Sequence, residues 1–158
     1  MRLQVPIVPI KWCTDYISTN FLCMLKDIEE YKAEGVGIAT VQEWDEQVGD
    51  IVYNVYLVNM NKTAIEGVLV LSKGFGMIDG EERKSSVLRH FLDTVEGESF
   101  CKIEPIQHEL FVLNNQYQLT YFLNGNMYEK TYVFTSNTIH PDNFKQVPIL
   151  KKTGVLLI

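Results

Sequence analysis

The dipeptide Asn124-Gly125 places the tightest constraint on this chain. Both residue types accept positive φ, so Asn-Gly favours a two-residue type I′ turn whose twist matches the strands it joins. Apolar and polar residues alternate on either side, over Gln116–Leu123 and Met127–Phe134. The turn then fixes register: Leu123 faces Asn126, Tyr121 faces Tyr128, and Tyr117 faces Tyr132. One face collects Tyr117, Leu119, Tyr121, Leu123, Tyr128, Tyr132 and Phe134 and is predicted to be core. The other carries Gln118, Thr120, Glu129 and Thr131, with Phe122, Met127 and Val133 among them. Lys130 is the misfit on the core face, which predicts that its strand lies at a sheet edge.

Further strands are predicted at Val36–Gln42, Ile51–Asn59, Gly67–Leu71, Phe100–Glu104 and Glu109–Leu113. In Ile51–Asn59 apolar residues occupy both alternating sets, which predicts a strand covered on both faces. Turn-forming residues break the chain at Asn59-Met60-Asn61, Gly74 to Gly80, Glu96-Gly97 and Asn114-Asn115. In Ser86–Val95, Val87, Leu88, Phe91, Leu92 and Val95 fit a helical stripe, so a short helix is expected, with a strand as the competing reading. Val147–Leu150 and Val155–Ile158 are apolar tail segments expected to dock as an edge strand or to cover the sheet. Many short strands separated by turns point to an all-β fold, an immunoglobulin-like β-sandwich of about seven short antiparallel strands. A chain of 158 residues supports one such core.

Composition narrows the partners. Fourteen Lys and Arg stand against 20 Asp and Glu, a formal net charge of −6, which disfavours duplex DNA and anionic membrane surfaces. No run of about 18 apolar residues is present to span a membrane. Cys13, Cys23 and Cys101 form neither a disulfide framework nor a CxxC knuckle, so reduced thiols in a cytoplasmic protein are expected, with Cys101 buried and inert. The apolar stretch Leu3–Ile10 is interrupted by Pro6 and Pro9, and Leu22 before Cys23 is not the small residue of a lipoprotein cleavage site; secretion is disfavoured. Residues 1–23 lack a sustained period, whereas Met24 opens a charged run. They are therefore read as an irregular N-terminal extension or upstream mis-start, with residues 24–158 forming the single domain.

The chemical motifs are decoys. Val55-Tyr56-Leu57-Val58-Asn59-Met60 and Lys73-Gly74-Phe75-Gly76 resemble the two motifs of RNA-recognition domains, but twelve residues between them leave no room for the intervening helix. A β-turn glycine loop is expected at Lys73–Gly80. The run from Gly74 to Arg83 distantly resembles the glycine-rich motif of class II aminoacyl-tRNA synthetases, with its spacing two residues too long. No dinucleotide fingerprint and no P-loop occurs. His90, His108 and His140 are widely spaced, and Pro105 breaks any helical face shared by Glu104 and His108, so no metal ligands are assigned. No catalytic or cofactor-binding residue is assigned either.

Five segments carry a family resemblance: Asn54–Asn59, Gly67–Gly76, Leu88–Phe91, Lys102–Ile106 and Pro148–Lys151. Over residues 24–158 the chain resembles a group of short bacterial proteins of unknown function commonly labelled phenylalanyl-tRNA synthetase subunit alpha. It does not resemble the true catalytic subunit, whose length and arginines it lacks. The resemblance implies a single small domain and supplies no active-site residues.

The expectation for function is a non-enzymatic protein-interaction module, with protein as the partner. An RNA- or synthetase-associated accessory protein is the first alternative. A small hydrolase whose site residues come from separate strands is the second, and it predicts a deep pocket with two perturbed titratable groups.

Overall fold

The computed structural model describes residues 34–158. The extension at residues 1–23, the start at Met24, Cys13 and Cys23 lie outside the described residues. Ten strands build two antiparallel sheets: β1 (Val36–Asp45), β2 (Asp50–Asn59), β3 (Ile65–Ile78), β4 (Glu81–Lys84), β5 (Leu88–Val95), β6 (Ser99–Ile106), β7 (Asn114–Leu123), β8 (Asn126–Phe134), β9 (Lys145–Gln146) and β10 (Thr153–Leu157). The first sheet runs β6-β2-β1-β10-β9; in the second, β3 carries β4 and β5 along one flank and β7 then β8 on the other. The fold is an all-β sandwich. Taken alone, β1-β2-β6 against β5-β3-β7-β8 is the strand order of an immunoglobulin-like sandwich, to which β9 and β10 add.

The hairpin at residues 124 and 125 has the expected register, with Leu123 opposite Asn126, Tyr121 opposite Tyr128 and Tyr117 opposite Tyr132. Asn124 and Gly125 have φ of 52° and 78°, the two positive values of a type I′ turn. The tyrosine face is core: Tyr117, Leu119, Tyr121, Tyr132 and Phe134 pack with Val68 and Val70 against Val36, Ile38, Val55 and Leu57 of the opposite sheet. The Tyr132 hydroxyl crosses the layer to donate to the Val36 carbonyl at 2.7 Å. Among the described residues β8 pairs with β7 alone, so within this sheet Lys130 stands on an edge strand.

The first sheet is covered twice. Its outer residues Ala39, Val41, Tyr56 and Val58 are buried under Val147 and Leu150. Residues 147–150 form the cover expected of the tail, whereas β10 pairs with β1 on one side and β9 on the other and so is not the edge strand expected.

Four expectations are corrected. Ten strands form among the described residues rather than about seven. The segment Ser86–Val95 holds a strand, not a helix. His90 and Leu92 alternate inward as a strand should, with Leu88 half exposed at its start, and Asp93, at φ 56°, inserts a left-handed residue that lets Val95 face in as well. That irregularity produced the helix-like 88-92-95 spacing. Glu109–Leu113 is mostly a 3₁₀ turn (His108–Val112), which satisfies its backbone locally where the chain crosses between sheets. Finally, Gly74–Ile78 continues β3, and the reversal is confined to Asp79-Gly80, with φ of 52° and 82°. This second type I′ signal was masked by the glycines before it.

Candidate functional site

A cleft of about 160 Å³ opens between the sheets beside Ser85–Leu88, the segment that passes from β4 to β5 along β3. Leu88, Pro105, Ile106 and Leu110 supply apolar wall, and Glu104, Ser72, Asn115 and Tyr117 supply polar groups. Ser85 frames the mouth: its hydroxyl accepts from the Gly74 amide at 2.7 Å and its amide donates to the Gly74 carbonyl at 2.9 Å.

A β-bulge aims Glu104 into this space. Tyr56 pairs with Lys102 and Val55 with Glu104, leaving Ile103 as the extra residue. Simple alternation from Cys101, opposite inward-facing Leu57, would send Glu104 outward with Lys102. The extra residue turns it inward instead, and Ile103 is buried as well. There Glu104 meets two other strands. His90 Nε2 lies 2.9 Å from Glu104 Oε2, with both side chains largely buried. Tyr117 lines the same cleft as this carboxylate; burial first, then the nearby Glu104, raise its pKa well above the usual phenol range. A histidine, a glutamate and a tyrosine thus converge from β5, β6 and β7. No protein-family model matches the chain, and no curated protein matches it.

The sequence did not single out this cluster. The helix expected at 86–95 sets His90 opposite its apolar stripe, and the sequence weighs Glu104 only against His108. The available signal was Pro105, since proline in a strand marks an edge or bulge. His108, the sequence neighbour considered for Glu104, instead packs on Phe111 at 5.1 Å between ring centres. His140 caps the short helical turn Pro141–Asn143. Among the described residues no three His, Cys, Asp or Glu side chains gather as a metal site. Cys101 is half-buried with a free thiol, not fully buried as expected. The two RNA-motif segments lie on β2 and β3, in different sheets, with Tyr56 and Phe75 on opposite outer faces.

Two outer surfaces flank this core. On the first sheet, Glu43 accepts from Asn54, Lys152 and Tyr56. Burial alone would raise the Glu43 carboxyl, but these hydrogen bonds outweigh it and hold the pKa below its usual value. On the second sheet the outer face leaves Phe91 67%, Phe122 42% and Met127 60% exposed. Phe122 lies against Gly67, where the absence of a side chain leaves room for the ring. Arg89 and Lys73 border this face with positive charge and Glu66, Asp93 and Glu129 with negative.

The edges of the two sheets, as formed by the described residues, are guarded. Strand β8 carries the inward Lys130, β6 its bulge and Pro105, β4 four exposed charged residues, and β9 is two residues long. No helix among the described residues is long and apolar enough to cross a membrane.

Proposed function

We propose that this protein is a non-catalytic interaction module acting in the cytoplasm, which presents the outer face of its second sheet to a partner protein. The observation that carries the reading is the exposure of Phe91, Phe122 and Met127 on one sheet face, since large apolar side chains grouped in water mark interaction sites. The guarded edges favour contact through the face over addition of a strand. The partner surface is flat and apolar, with charges of both signs at its margin to match Arg89 and Lys73 on one side and Glu66, Asp93 and Glu129 on the other. The free thiol of Cys101 is in keeping with a reducing compartment.

The test compares wild type with F91D/M127D in co-purification and cross-linking from native extract. A partner cross-linked to β5, β7 or β8 and lost in the variant, at unchanged thermal midpoint, supports the reading. The same partner retained by the folded variant overturns it. Filter binding to tRNA at low salt is the companion measurement, because electrostatic attraction is strongest there. Saturable tRNA binding would favour the RNA- or synthetase-associated accessory reading instead.

A further inference from the structure

We propose that the inter-sheet cleft is a receptor for a single alkyl cation, an ammonium or guanidinium at the end of a short aliphatic stem. This reading does not depend on the proposed interaction face, which lies on the other side of the second sheet.

Three observations carry it. The first is size. At about 160 Å³ the cleft is well below the roughly 300–1,000 Å³ of pockets that hold drug-sized ligands, and suits one side-chain-sized group. The second is the wall. Leu88, Pro105, Ile106 and Leu110 offer apolar surface matched to methylene groups. The third is the charge. Glu104 is a largely buried carboxylate that the bulge at Ile103 has turned into the cleft.

The neighbours of Glu104 leave it capacity. A carboxylate has about four lone-pair sites. His90 Nε2 meets one of its oxygens from the sheet side, and Tyr117 lines the cleft beside it. The His90 contact also fixes the orientation of the carboxylate, which lowers the ordering cost of binding. Lys73 contributes to the rim, but its ammonium lies over the Phe75 ring, 5.9 Å from the centroid, on the outer face of the sheet. Ser72, which also lines the cleft, and the hydroxyl of Ser86 at its mouth are neutral polar groups compatible with an ammonium or guanidinium. An anion would meet Glu104 unfavourably, and a neutral alkyl group would leave the carboxylate without a partner for its remaining lone pairs.

The cation has two possible sources, a free alkylamine or the side chain of a lysine or arginine in a polypeptide. Titration of the full chain with n-butylammonium, n-butylguanidinium, n-butanol and a Gly-Lys-Gly peptide, followed by two-dimensional NMR, tests the assignment. Saturable shifts at Ser72, Leu88, Glu104 and Leu110 are expected with at least one cation and not with n-butanol. Glu104→Gln should weaken cation binding about tenfold or more, the scale of a hydrogen bond to a charged group. Ser86→Trp changes an exposed residue at the mouth and should abolish binding by filling the entrance, even if Glu104→Gln perturbs the fold. Tighter binding of the peptide than of the free amine identifies a polypeptide side chain, and the reverse order identifies a small amine. Absence of saturable binding by any cation, equal binding by n-butanol, or full binding by a folded Glu104→Gln protein overturns the proposal.

Discussion

His90 and Glu104 stand on strands of different sheets, and their side chains meet at 2.9 Å, Nε2 to Oε2, between the two layers. The pair ties β5 to β6 where the layers would otherwise part. Replacing His90 with Leu removes the imidazole and leaves a largely buried carboxylate with one fewer donor. The expected cost is about 1–3 kcal/mol of unfolding free energy, read by urea denaturation. A loss below about 0.3 kcal/mol, within the range of an ordinary surface change, would show that the pair does not hold the sheets together.

The Glu43 cluster makes stability depend on acid pH. Its carboxyl pKa is depressed below the ordinary 4.5, so as pH falls past that value the unfolded chain takes up a proton first. The contribution is therefore complete above the unfolded pKa and fades as pH drops through the folded one. Lys152 shows the opposite sense. Its hydrogen bond to Glu43 raises its pKa above 10.5, so its contribution is complete below that pH and fades above it. Thermal midpoints measured from pH 3 to 6 should fall less steeply for Glu43→Gln than for wild type.

Buried tyrosines govern the alkaline limit. Burial, followed by the neighbouring Tyr128, pushes Tyr121 up to about 12, and burial raises Tyr117 and Tyr132 further still. Past pH 10 the unfolded chain releases phenolic protons that the folded one keeps, so stability falls as pH rises. Spectrophotometric titration should show a late group of tyrosines ionising together with unfolding. Smooth ionisation of every tyrosine while the fold persists would contradict this.

Asn59 is fully buried, and its side-chain nitrogen donates to the carbonyls of Thr63, Val95 and Glu96, joining the end of β2 to the β5–β6 connection. Asn59→Asp keeps the shape but turns a donor toward three acceptors into a charged acceptor. A loss of about 3 kcal/mol or more is expected in chemical denaturation, against a smaller loss for a surface control such as Asn137→Asp.

Gly154 fixes how closely β10 approaches β1. A Cβ there would lie 2.1 Å from the Thr40 carbonyl oxygen and 2.7 Å from the Val41 Cα, both backbone atoms that cannot step aside. Gly154→Ala should cost about 1–3 kcal/mol, the scale of overpacking, and hydrogen exchange should rise first in β10. Unchanged protection there would count against this close packing.

What sequence could and could not reveal follows from the reach of each interaction. At 124–125 a local φ preference sets the register of two adjacent strands, so Tyr117 and Tyr132 were legible as partners. At 88–95 the local pattern misled, because a single left-handed residue at Asp93 shifts a strand into helix-like spacing. At Glu104 the deciding event was a bulge against β2, a strand some fifty residues earlier in the chain, and alternation carries no trace of it.

The amino-acid sequence alone determined the all-β class, the central hairpin and its buried tyrosine face, since these rest on turn chemistry and the two-residue period of a strand. Tertiary structure alone decided that Glu104 and Tyr117 share one cleft with His90 paired to Glu104, and that Phe91, Phe122 and Met127 share one open face. Those groupings depend on which strands become neighbours and which sheet covers which, a choice made by packing of the whole core.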